Sequence, residues 1–582
     1  MSNKLSSRRI ALIGGGPTSL YVLQKLILSG RRDISVTIFE RTERLGAGMP
    51  YSELGADPEH VTNISWKELP GWGKELKSWL KSRKVSQASG YGPQEVMPRL
   101  LLGGFMEQLF TRCLDSARQL FSIQVKLRTA VCDIVAQPSG FEVVTPRDSY
   151  HFDALFICTG HVWPADDLPK SFYRSPYPPG KLAGRRNHPV ALRGSSLTAI
   201  DALRSLASRH GEFFRENDRL RYRLAPDCPE FRLVMHSRSG CLPCPRFYFK
   251  DEMGETDLID WASWAALQEQ NSGFLPLDEI YASGFKKLLK DMGSSVFPKI
   301  ENKSLEEFVE MALDARGDEG PFEIFRREFE QARDSYETCR PILWKEAISL
   351  FSFVVSYAVK HFSAEDMLRY EKHLQPLAAT VIAFVPPSSA EQLLALYDAG
   401  VLDILNVEDE SSVEPHPEQG AIYTFHGKDT HYKTFVDCVG QAHLSAREFP
   451  FPSLLEAGVV SPATSKFRNQ EVGREFCERE PERALLDNDG EVFLKLAGVA
   501  INDLYQPLNS QGRPMPHLYI LAIPLIGGHN PDFSGLDVAD LASSIAVEEE
   551  LGPPELEKKG PDRALRQMSP ETGREQRIDS ST

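Results

Sequence analysis

The N-terminal segment alternates between apolar runs and breaks in a regular way. Residues 9–13 are mostly apolar, which predicts a buried strand. Three glycines, residues 14–16, end this run, and residues 17–28 then carry apolar side chains at helical spacing. A second apolar run, residues 36–39, ends at Glu40. The pattern predicts a strand, a glycine-rich turn, a helix and a second strand.

This unit has the spacing of a dinucleotide-binding turn. Gly14 and Gly16 let the backbone turn tightly and approach a pyrophosphate, which then rests on the N-terminus of the following helix. Ser19 stands where the third glycine of such turns is expected, and it is small enough for close helix packing. Glu40 follows at about the distance expected for a carboxylate that binds an adenosine ribose. The first unit therefore suits FAD.

A second unit of the same kind begins with the apolar run at residues 190–193. The next strand, residues 233–237, ends at Arg238, and an arginine there can bind a ribose 2′-phosphate with two hydrogen bonds. The second unit therefore suits NADPH, although a serine takes the place of its central glycine. Its predicted phosphate-binding residues are Gly194, Ser195, Ser196, Leu197 and Thr198.

Later apolar runs complete the pattern. Residues 153–157 and 435–439 read as buried strands that end in small residues, where the backbone can pass close to a dinucleotide. A last strand, residues 518–523, and a helix over 537–551 return the chain to the first unit. The residues predicted to end the two earlier strands beside a cofactor are Thr159, Gly160, His161 and Gly440.

These elements predict an α/β fold with two Rossmann-type, three-layer ββα dinucleotide-binding domains, one inserted into the other, and a mostly helical insertion. The insertion serves either packing and oligomerisation or as a lid over the flavin. The predicted parts are 1–165 and 441–551 for the FAD-binding domain, 166–250 and 375–440 for the NADPH-binding domain, 251–374 for the helical insertion and 552–582 for a disordered tail.

Composition narrows the class of protein. The chain has 582 residues with 66 basic and 81 acidic side chains, a net charge of −15, which argues against broad binding of nucleic acid. The strongest apolar stretch, residues 347–359, is too short to cross a membrane and predicts a buried helix. No secretory signal is visible, and nine cysteines do not form a disulfide framework. A cytoplasmic protein is expected.

The motifs together resemble a known family. Besides the first glycine turn, residues 45–51, residues 60–65, Pro98 and Arg99 carry the likeness. They resemble the FAD/NAD(P)-binding family of bacterial flavoproteins related to the N-hydroxylating flavin monooxygenases. The members with a named activity that the chain resembles in length and motif order are the L-aspartate N-monooxygenases, or nitrosuccinate synthases.

The resemblance implies roles for individual residues. Asn63 would lie near the flavin C4a atom and hydrogen-bond the peroxide formed there, which makes it the catalytic candidate. No metal site is expected. The residues that the motifs assign to FAD are Gly14, Gly16, Pro17, Thr18, Ser19, Glu40, Arg41, Gly48, Met49, Tyr51, Arg99, Thr159, Gly160, His161, Asp532, Gly535 and Leu536.

The expected reaction follows from the two cofactors. NADPH would reduce FAD, and a flavin C4a-hydroperoxide formed with molecular oxygen would oxygenate the amine of a small amino acid, with L-aspartate giving nitrosuccinate. A dicarboxylate substrate needs cationic side chains, preferably arginines. The candidates are Arg246, Arg340, Lys466 and Arg468.

Two alternatives stay open at this point. Cys241 and Cys244 have the spacing of a redox dithiol, so the chain is alternatively a pyridine-nucleotide disulfide reductase. Ser19 and Ser196 replace glycines, so a non-catalytic flavin-binding scaffold is the third hypothesis. Structural thiols are the simpler interpretation of the two cysteines.

Overall fold

The computed structural model describes residues 7–83, 95–161, 163, 170–250, 259–317, 319–440, 444–531 and 535–553. The elements before the helical region are β1 Arg8–Ile13, α1 Pro17–Leu28, β2 Ile34–Phe39, β3 Val61–Ser65, α2 Gly73–Ser82, β4 Val96–Pro98, α3 Arg99–Leu120, β5 Ser122–Lys126, β6 Asp133–Gln137, β7 Gly140–Val144, β8 Ser149–Phe152, β9 Ala154–Ile157, β10 Phe172–Tyr173, β11 Pro189–Arg193, α4 Leu197–His210, β12 Gly211–Glu216, β13 Arg219–Leu224 and β14 Arg232–Ser237.

The helical region and the elements after it complete the chain. They are α5 Trp261–Gln270, α6 Leu277–Ile280, α7 Lys287–Asp291, α8 Phe297–Ile300, α9 Leu305–Asp314, α10 Pro321–Thr338, α11 Leu343–Ala358, α12 Ala364–Arg369, α13 Gln375–Ile382, α14 Pro387–Asp398, β15 Leu402–Asn406, β16 Ser412–Pro415, β17 Ala421–Phe425, β18 Lys428–Tyr432, β19 Thr434–Asp437, α15 Pro452–Glu456, β20 Pro462–Lys466, α16 Gln470–Arg479, β21 Ala484–Leu486, β22 Val492–Val499, β23 Leu518–Ile520 and α17 Leu536–Leu551.

The first domain is built on a five-stranded parallel sheet with the strand order β23-β9-β1-β2-β5. Its central strand β1 is buried over residues 10–13, as its apolar sequence predicts. Helices α1, α3 and α17 pack together beside it. The antiparallel strands β6, β7 and β8 form a second layer, where Phe152 meets Phe39 of the parallel sheet edge to face at 5.8 Å.

The second domain repeats this plan. Its parallel sheet has the order β10-β19-β11-β14-β15, and the antiparallel strands β16, β17 and β18 pack against it through Tyr423 and Phe435. Helices α4 and α14 share an apolar core with the sheet. The predicted α/β class with two Rossmann-type domains is therefore confirmed. Strands β15 and β19 follow the helical region in the chain, and β23 joins the first sheet from the C-terminal part.

The helical region has its own apolar core. Helix α11 is buried from Lys345 to Ala358, because its sequence carries apolar or small residues on every side. The antiparallel strands β20, β21 and β22 contribute Val492 and Leu494 to the same core. Among the described residues no single helix has the length and apolar composition of a membrane span. Pro321–Thr338 and Leu343–His361 meet that test only together, bent by 93° at their junction.

One detail differs from the sequence expectations, and one prediction lies outside the described residues. The last strand, predicted over 518–523, ends at Ile520, because Ile523–Leu525 form a short turn of 3-10 helix. The predicted tail at 552–582 lies outside the described residues from position 554 onward.

Candidate functional site

The first glycine turn is closed by the end of strand β9. Gly14 has a φ of +107°, a conformation that favours glycine, and a Cβ there would lie 2.7 Å from the carbonyl oxygen of Cys158. The Gly14 amide donates to the Phe39 carbonyl oxygen at 2.8 Å. The turn therefore fits between two neighbouring strands only because residue 14 has no side chain.

The N-terminus of helix α1 is open to an anion. Gly16 precedes the helix, and among the described residues no side chain caps the helix and no acidic residue lies in its first turn. Its first N–H groups and its dipole are thus available to a pyrophosphate. Ser19 is fully buried below the turn, where its hydroxyl donates to the Gly14 carbonyl oxygen. Ser19 therefore braces the turn from below and does not line the cavity among the described residues.

Glu40 is held in place at the end of strand β2. Its Oε2 accepts from the Gly15 amide at 2.8 Å, and its Oε1 accepts from the Thr42 amide at 2.7 Å. Each oxygen keeps a second lone pair for a ribose hydroxyl. Two backbone amides therefore hold the Glu40 carboxylate at the position that the sequence spacing predicts.

A cavity of about 680 Å³ extends from this turn along the first domain. A glycine cradle, an open helix N-terminus and a fixed carboxylate at its rim are the donor and acceptor set that FAD requires. Fourteen of the residues predicted for FAD line it, and they are Gly14, Gly16, Pro17, Thr18, Glu40, Arg41, Gly48, Met49, Tyr51, Thr159, Gly160, His161, Gly535 and Leu536. Asp532, which was also predicted, lies outside the described residues.

The segment around Gly48, which lines the cavity, lies very close to helix α3. A Cβ at Gly46 would lie 2.5 Å from the Met106 carbonyl oxygen of α3, and a Cβ at Gly103 would collide with the Tyr51 carbonyl oxygen. The segment that carries Gly48 and Tyr51 is therefore pressed against helix α3. Burial raises the pKa of Tyr51 to about 12, so its phenol stays protonated and remains a hydrogen-bond donor.

Several lining residues were not predicted from the sequence. Most come from loops and short 3-10 turns, and Ala539 comes from helix α17; none carries a local motif, so only the folded chain brings them to the cavity. They include Thr129, Val131, Leu444, Glu448, Pro450, Phe451, Leu521, Pro524, Leu525 and Ala539.

Arg99 corrects one expectation. Its Nη1 donates to Asp201 Oδ2 at 2.6 Å, and its Nε donates to the Val61 carbonyl oxygen at 2.9 Å. It is not among the described residues that line the cavity. Arg99 therefore joins the first domain to helix α4 of the second and is not the FAD ligand that the motif implied.

The second turn has the backbone of the first. Gly194 has a φ of +110°, and a Cβ there would lie 2.8 Å from the Cys438 carbonyl oxygen. Ser196 precedes α4, and within the described chain the helix has neither a side-chain cap nor an acidic residue in its first turn. A Cβ at Gly440 would lie 3.9 Å from Thr198 Oγ1, beside the helix start. These features fit a second dinucleotide.

The strand register corrects the position of the second ribose contact. The amides of Gly14 and Gly194 donate to the Phe39 and His236 carbonyl oxygens, each at 2.8 Å, so these two residues are equivalent. Ser237 therefore occupies the position of Glu40, and Arg238 lies one residue further on. Arg238 is 79% exposed and only 3.5 Å from Asp409.

Asn63 lies in the middle of strand β3 with its side chain half-buried, and it is not among the described residues that line the cavity, so its role beside the flavin stays a prediction. Its carbonyl oxygen accepts from Arg246 Nη1 at 2.5 Å, and Arg246 also pairs with Glu68. Burial raises the pKa of Glu68, but the Arg246 charge more than offsets this, so that pKa lies below its usual value. Arg246 is 1% exposed and already neutralised. The expectation that it receives a substrate carboxylate is therefore wrong.

The three other cationic candidates are either paired with carboxylates or exposed to solvent. Lys466 Nζ pairs with Glu491 at 2.6 Å, and Arg468 Nη2 pairs with Asp366 Oδ2 at 2.9 Å. Arg340 is exposed just after helix α10. None of the three is among the described residues that line the cavity. The structure thus does not bring the four predicted cations to the flavin site.

The two cysteines of the CxxC motif are free thiols. Cys244 is buried, and its Sγ lies 3.3 Å from Lys345 Nζ and 3.6 Å from each carboxylate oxygen of Glu328. Burial raises the pKa of Cys244 above its usual value despite the nearby lysine. Cys241 accepts, through its carbonyl oxygen, from Ser195 Oγ at 2.8 Å. The motif therefore adjoins the second turn, and neither sulfur is among the described residues that line the cavity.

Comparison with known families agrees with this geometry. Residues 11–162 match a family model described as FAD-NAD(P)-binding, and residues 262–382 match one described as a YdhS-like middle domain. The uncharacterized protein YdhS of Escherichia coli strain K12 is 28% identical over 466 residues, which cover 77% of this chain and 86% of that protein. The first match and the two turns identify FAD and a nicotinamide dinucleotide, NAD(P), as the cofactors of this fold.

Solved structures share the general arrangement at low identity. The ornithine N-hydroxylase of Kutzneria sp. 744 is 12% identical with a TM-score of 0.43, over 93% of this chain and 98% of that one. The L-lysine 6-monooxygenase of Pseudomonas syringae is 14% identical with a TM-score of 0.43, over 94% and 99%. The bacillithiol disulfide reductase of Staphylococcus aureus is 10% identical with a TM-score of 0.40, over 95% and 99%. Likeness at this level carries no functional argument.

Proposed function

We propose that this protein is an FAD-dependent, NADPH-consuming monooxygenase that oxygenates the amine nitrogen of a small amino acid. The specific reaction is the conversion of L-aspartate to nitrosuccinate. The observation that carries the proposal is the pair of matching turns, each with a positive-φ glycine and an open helix N-terminus, which provide one pyrophosphate site for each cofactor.

The choice of NADPH over NADH rests on the second strand end. A carboxylate in the position of Glu40 accepts from two ribose hydroxyls but repels a 2′-phosphate. Ser237 removes that charge and offers a hydroxyl donor, and the exposed guanidinium of Arg238 adds a cation beside it. Both residues therefore favour the phosphorylated cofactor.

Each part of the chain has a definite task in this reaction. Bound FAD, reduced by hydride from NADPH, supplies the activation of molecular oxygen and the oxygen transfer to a nucleophile. The chain holds the two pyrophosphates at α1 and α4, fixes the first ribose with Glu40 and keeps the Tyr51 phenol protonated. The family motif alone assigns Asn63 to the flavin, where its neutral amide would donate a hydrogen bond without supplying a proton.

The substrate amine must be neutral when it attacks, because a protonated amine has no free electron pair. A site screened from water by the buried residues of the first domain favours the neutral amine. The four predicted cations are engaged elsewhere or exposed, so the carboxylates of aspartate need other partners, and Arg41 and Arg44 are the arginines among the described lining of the cavity.

The test is NADPH consumption by the flavin-loaded protein in air against a panel of amino acids. L-aspartate is expected to accelerate consumption and to yield nitrosuccinate, detected by mass spectrometry, whereas D-aspartate and succinate serve as matched controls. Acceleration by another amine would replace aspartate and keep the reaction class. Indifference to every amine would refute N-oxygenation.

The disulfide reductase hypothesis makes a different prediction about the two thiols of the CxxC motif. Replacement of both in a Cys241→Ser, Cys244→Ser variant would abolish turnover by a reductase. The proposed monooxygenase keeps its NADPH consumption in this variant, because neither sulfur lines the cavity among the described residues. A Cys132→Ser variant, at an exposed thiol of the first domain, is the control.

A further inference from the structure

One face of helix α4 is docked onto the first domain. Asp201, Ser205 and Arg209 are spaced four residues apart and so lie on one side of the helix. Ser205 Oγ donates to Asp57 Oδ2 at 2.5 Å, and Arg209 Nη2 lies 3.3 Å from the same oxygen. His60 Nε2 meets Ser205 Oγ at 2.9 Å. The helix whose N-terminus forms the second nucleotide turn therefore also contacts the segment just before strand β3.

Asp201 is the member of this face nearest the second turn, about one helical turn from the first residue of α4. Its Oδ2 accepts from Arg99 Nη1 and from the Tyr177 hydroxyl, each at 2.6 Å. Asp201 is 4% exposed, so the ion pair is shielded from water. The position of the Arg99 guanidinium is therefore set by a residue of the second domain.

Arg99 passes this constraint to strand β3. Its Nε donates to the Val61 carbonyl oxygen at 2.9 Å, two residues before Asn63. Strand β3 pairs irregularly with β4, because the register shifts between Val61 and Ser65. Side chains therefore hold carbonyl oxygens of the strand, with Arg99 on Val61, Arg246 on Asn63 and Thr62 on Ile64. The backbone position of such a strand depends on the positions of the side chains that bind its carbonyl oxygens.

We propose that Asp201 is a positioning residue through which the second nucleotide site sets the geometry of strand β3, and thus of Asn63, the residue that the proposed function assigns to the flavin. NADPH seated on the N-terminus of α4 fixes that helix, Asp201 fixes Arg99, and Arg99 fixes Val61. This inference rests on the proposed function and deepens it, because it makes the oxidised flavin responsive to the occupancy of a distant turn.

The experiment compares the flavin-loaded wild type with Asp201→Asn, which keeps the size of the side chain and removes its charge. NADP⁺ is titrated into the oxidised protein while calorimetry reports binding and the visible flavin absorption reports the flavin environment. In the variant, NADP⁺ still binds because the turn is intact, but the change in the flavin band is lost. The limiting rate of anaerobic flavin reduction by NADPH falls about tenfold without a change in NADPH affinity.

Three further variants separate positioning from folding. Arg99→Lys keeps a positive charge opposite Asp201 but cannot also reach the Val61 carbonyl, so it loses the flavin response in the same way. Ser208→Ala, at an exposed residue of the same helix, keeps the wild-type response. Asp201→Glu restores the charge and recovers part of the response. A purely structural role would lower the melting temperature and leave the NADP⁺-induced band unchanged.

The outcomes distinguish this inference from the function on which it rests. If the wild-type flavin responds to NADP⁺ and both the Asp201→Asn and Arg99→Lys proteins respond equally, the positioning role is refuted and the proposed function stands. If the wild-type flavin responds to neither NADP⁺ nor NAD⁺ and is not reduced by NADPH, both fall together.

Discussion

The two nucleotide turns, residues 14–19 and 194–199, share one backbone and differ in their side chains. The glycines that begin them have φ values of +107° and +110°, and each faces the carbonyl oxygen of a cysteine, Cys158 or Cys438, at the end of a parallel strand. The residues before the two helices have nearly the same dihedral angles, −83° and −164° for Gly16 against −92° and −166° for Ser196. A serine thus reproduces the extended conformation that the motif usually gives to glycine.

The two turns differ in the side chains at the position where the ribose of a dinucleotide would bind. Glu40 binds the Gly15 amide in the first turn, whereas Ser237 stands in the equivalent position of the second. Ser195 turns its hydroxyl away to the Cys241 carbonyl oxygen. Under the proposed function, the comparison teaches that the backbone provides a pyrophosphate site in both domains, while the side chains at the end of the second strand decide which nucleotide binds.

The largest effects are expected from replacing the first glycine of each nucleotide turn in separate variants. Gly14→Ala places a Cβ against Cys158 in a backbone conformation that costs on the order of 1–3 kcal/mol for alanine, so FAD content of the purified protein falls sharply. Gly194→Ala keeps FAD but raises the NADPH concentration for half-maximal reduction about tenfold or more. Flavin absorbance and stopped-flow reduction measure the two effects.

The control for both variants is Gly184→Ala, where a Cβ meets nothing within 4 Å in the described part of the chain. This protein should match the wild type in both assays. Equal loss of FAD in the two turn variants would contradict the assignment of one cofactor to each turn.

The next effect concerns pH and the equivalent pair Phe39 and His236. Burial lowers the pKa of His236 to about 4, so the folded protein keeps the imidazole neutral while the unfolded chain protonates it near pH 6.5. The unfolded state then binds more protons, and stability falls as the pH drops from about 6.5 to 4, by up to about 3 kcal/mol. His236→Phe, the residue of the first domain, should make this slope shallower without abolishing it, because burial also lowers the pKa of His529 to about 4.

The measurement is urea unfolding between pH 4 and 7, followed by hydrogen exchange of strands β11 and β14 in the second domain. His151→Phe, at a half-buried histidine of strand β8, is the matched control and keeps the wild-type slope. A slope that is unchanged in His236→Phe would show that His236 does not contribute to it.

A smaller effect is expected when the end of the second strand is given the acidic residue that ends the first. Ser237→Glu gives the second turn the carboxylate of the first, which repels a 2′-phosphate and accepts from ribose hydroxyls. The ratio of NADPH to NADH efficiency should fall about tenfold, as measured by steady-state oxidation of each. Ser239→Glu, two residues further on, tests whether any nearby charge suffices, and an equal effect there would argue against the register given above.

The smallest effect concerns the brace under the first turn. Ser19→Ala removes the hydrogen bond to the Gly14 carbonyl oxygen and should lower the free energy of unfolding by about 1 kcal/mol, measured by urea denaturation. The second turn has Ala199 in the equivalent position. Ala199→Ser is the reciprocal variant, and a gain in stability there would show that the brace is transferable.

Local chemistry was enough to predict both turns and their helices, because a glycine break between an apolar strand and a periodic helix is written in a few consecutive residues. The ribose position in the second domain was misjudged by one residue. Only the pairing of β11 with β14 shows that Ser237, and not Arg238, is level with Glu40. Strand register is a property of two segments and cannot be read from one.

The arginines were the least predictable part of the candidate site. Arg246 is separated by 178 positions from Glu68, its partner, and Arg99 by 102 positions from Asp201. Ligand binding was predicted for Arg246 from its charge and for Arg99 from the family motif, but the partner of each comes from a distant part of the chain. The lining residues Leu444 and Phe451 were missed for the same reason, since their loop has no pattern before folding.

The two cysteines that face the turns have a practical consequence. Cys158 and Cys438 are buried, and burial raises both pKa values, that of Cys158 to about 12, so neither thiol reacts while its domain is folded. One belongs to each parallel sheet. The rate at which each thiol is alkylated under mild denaturant, measured by peptide mass spectrometry, therefore reports how fast its domain opens.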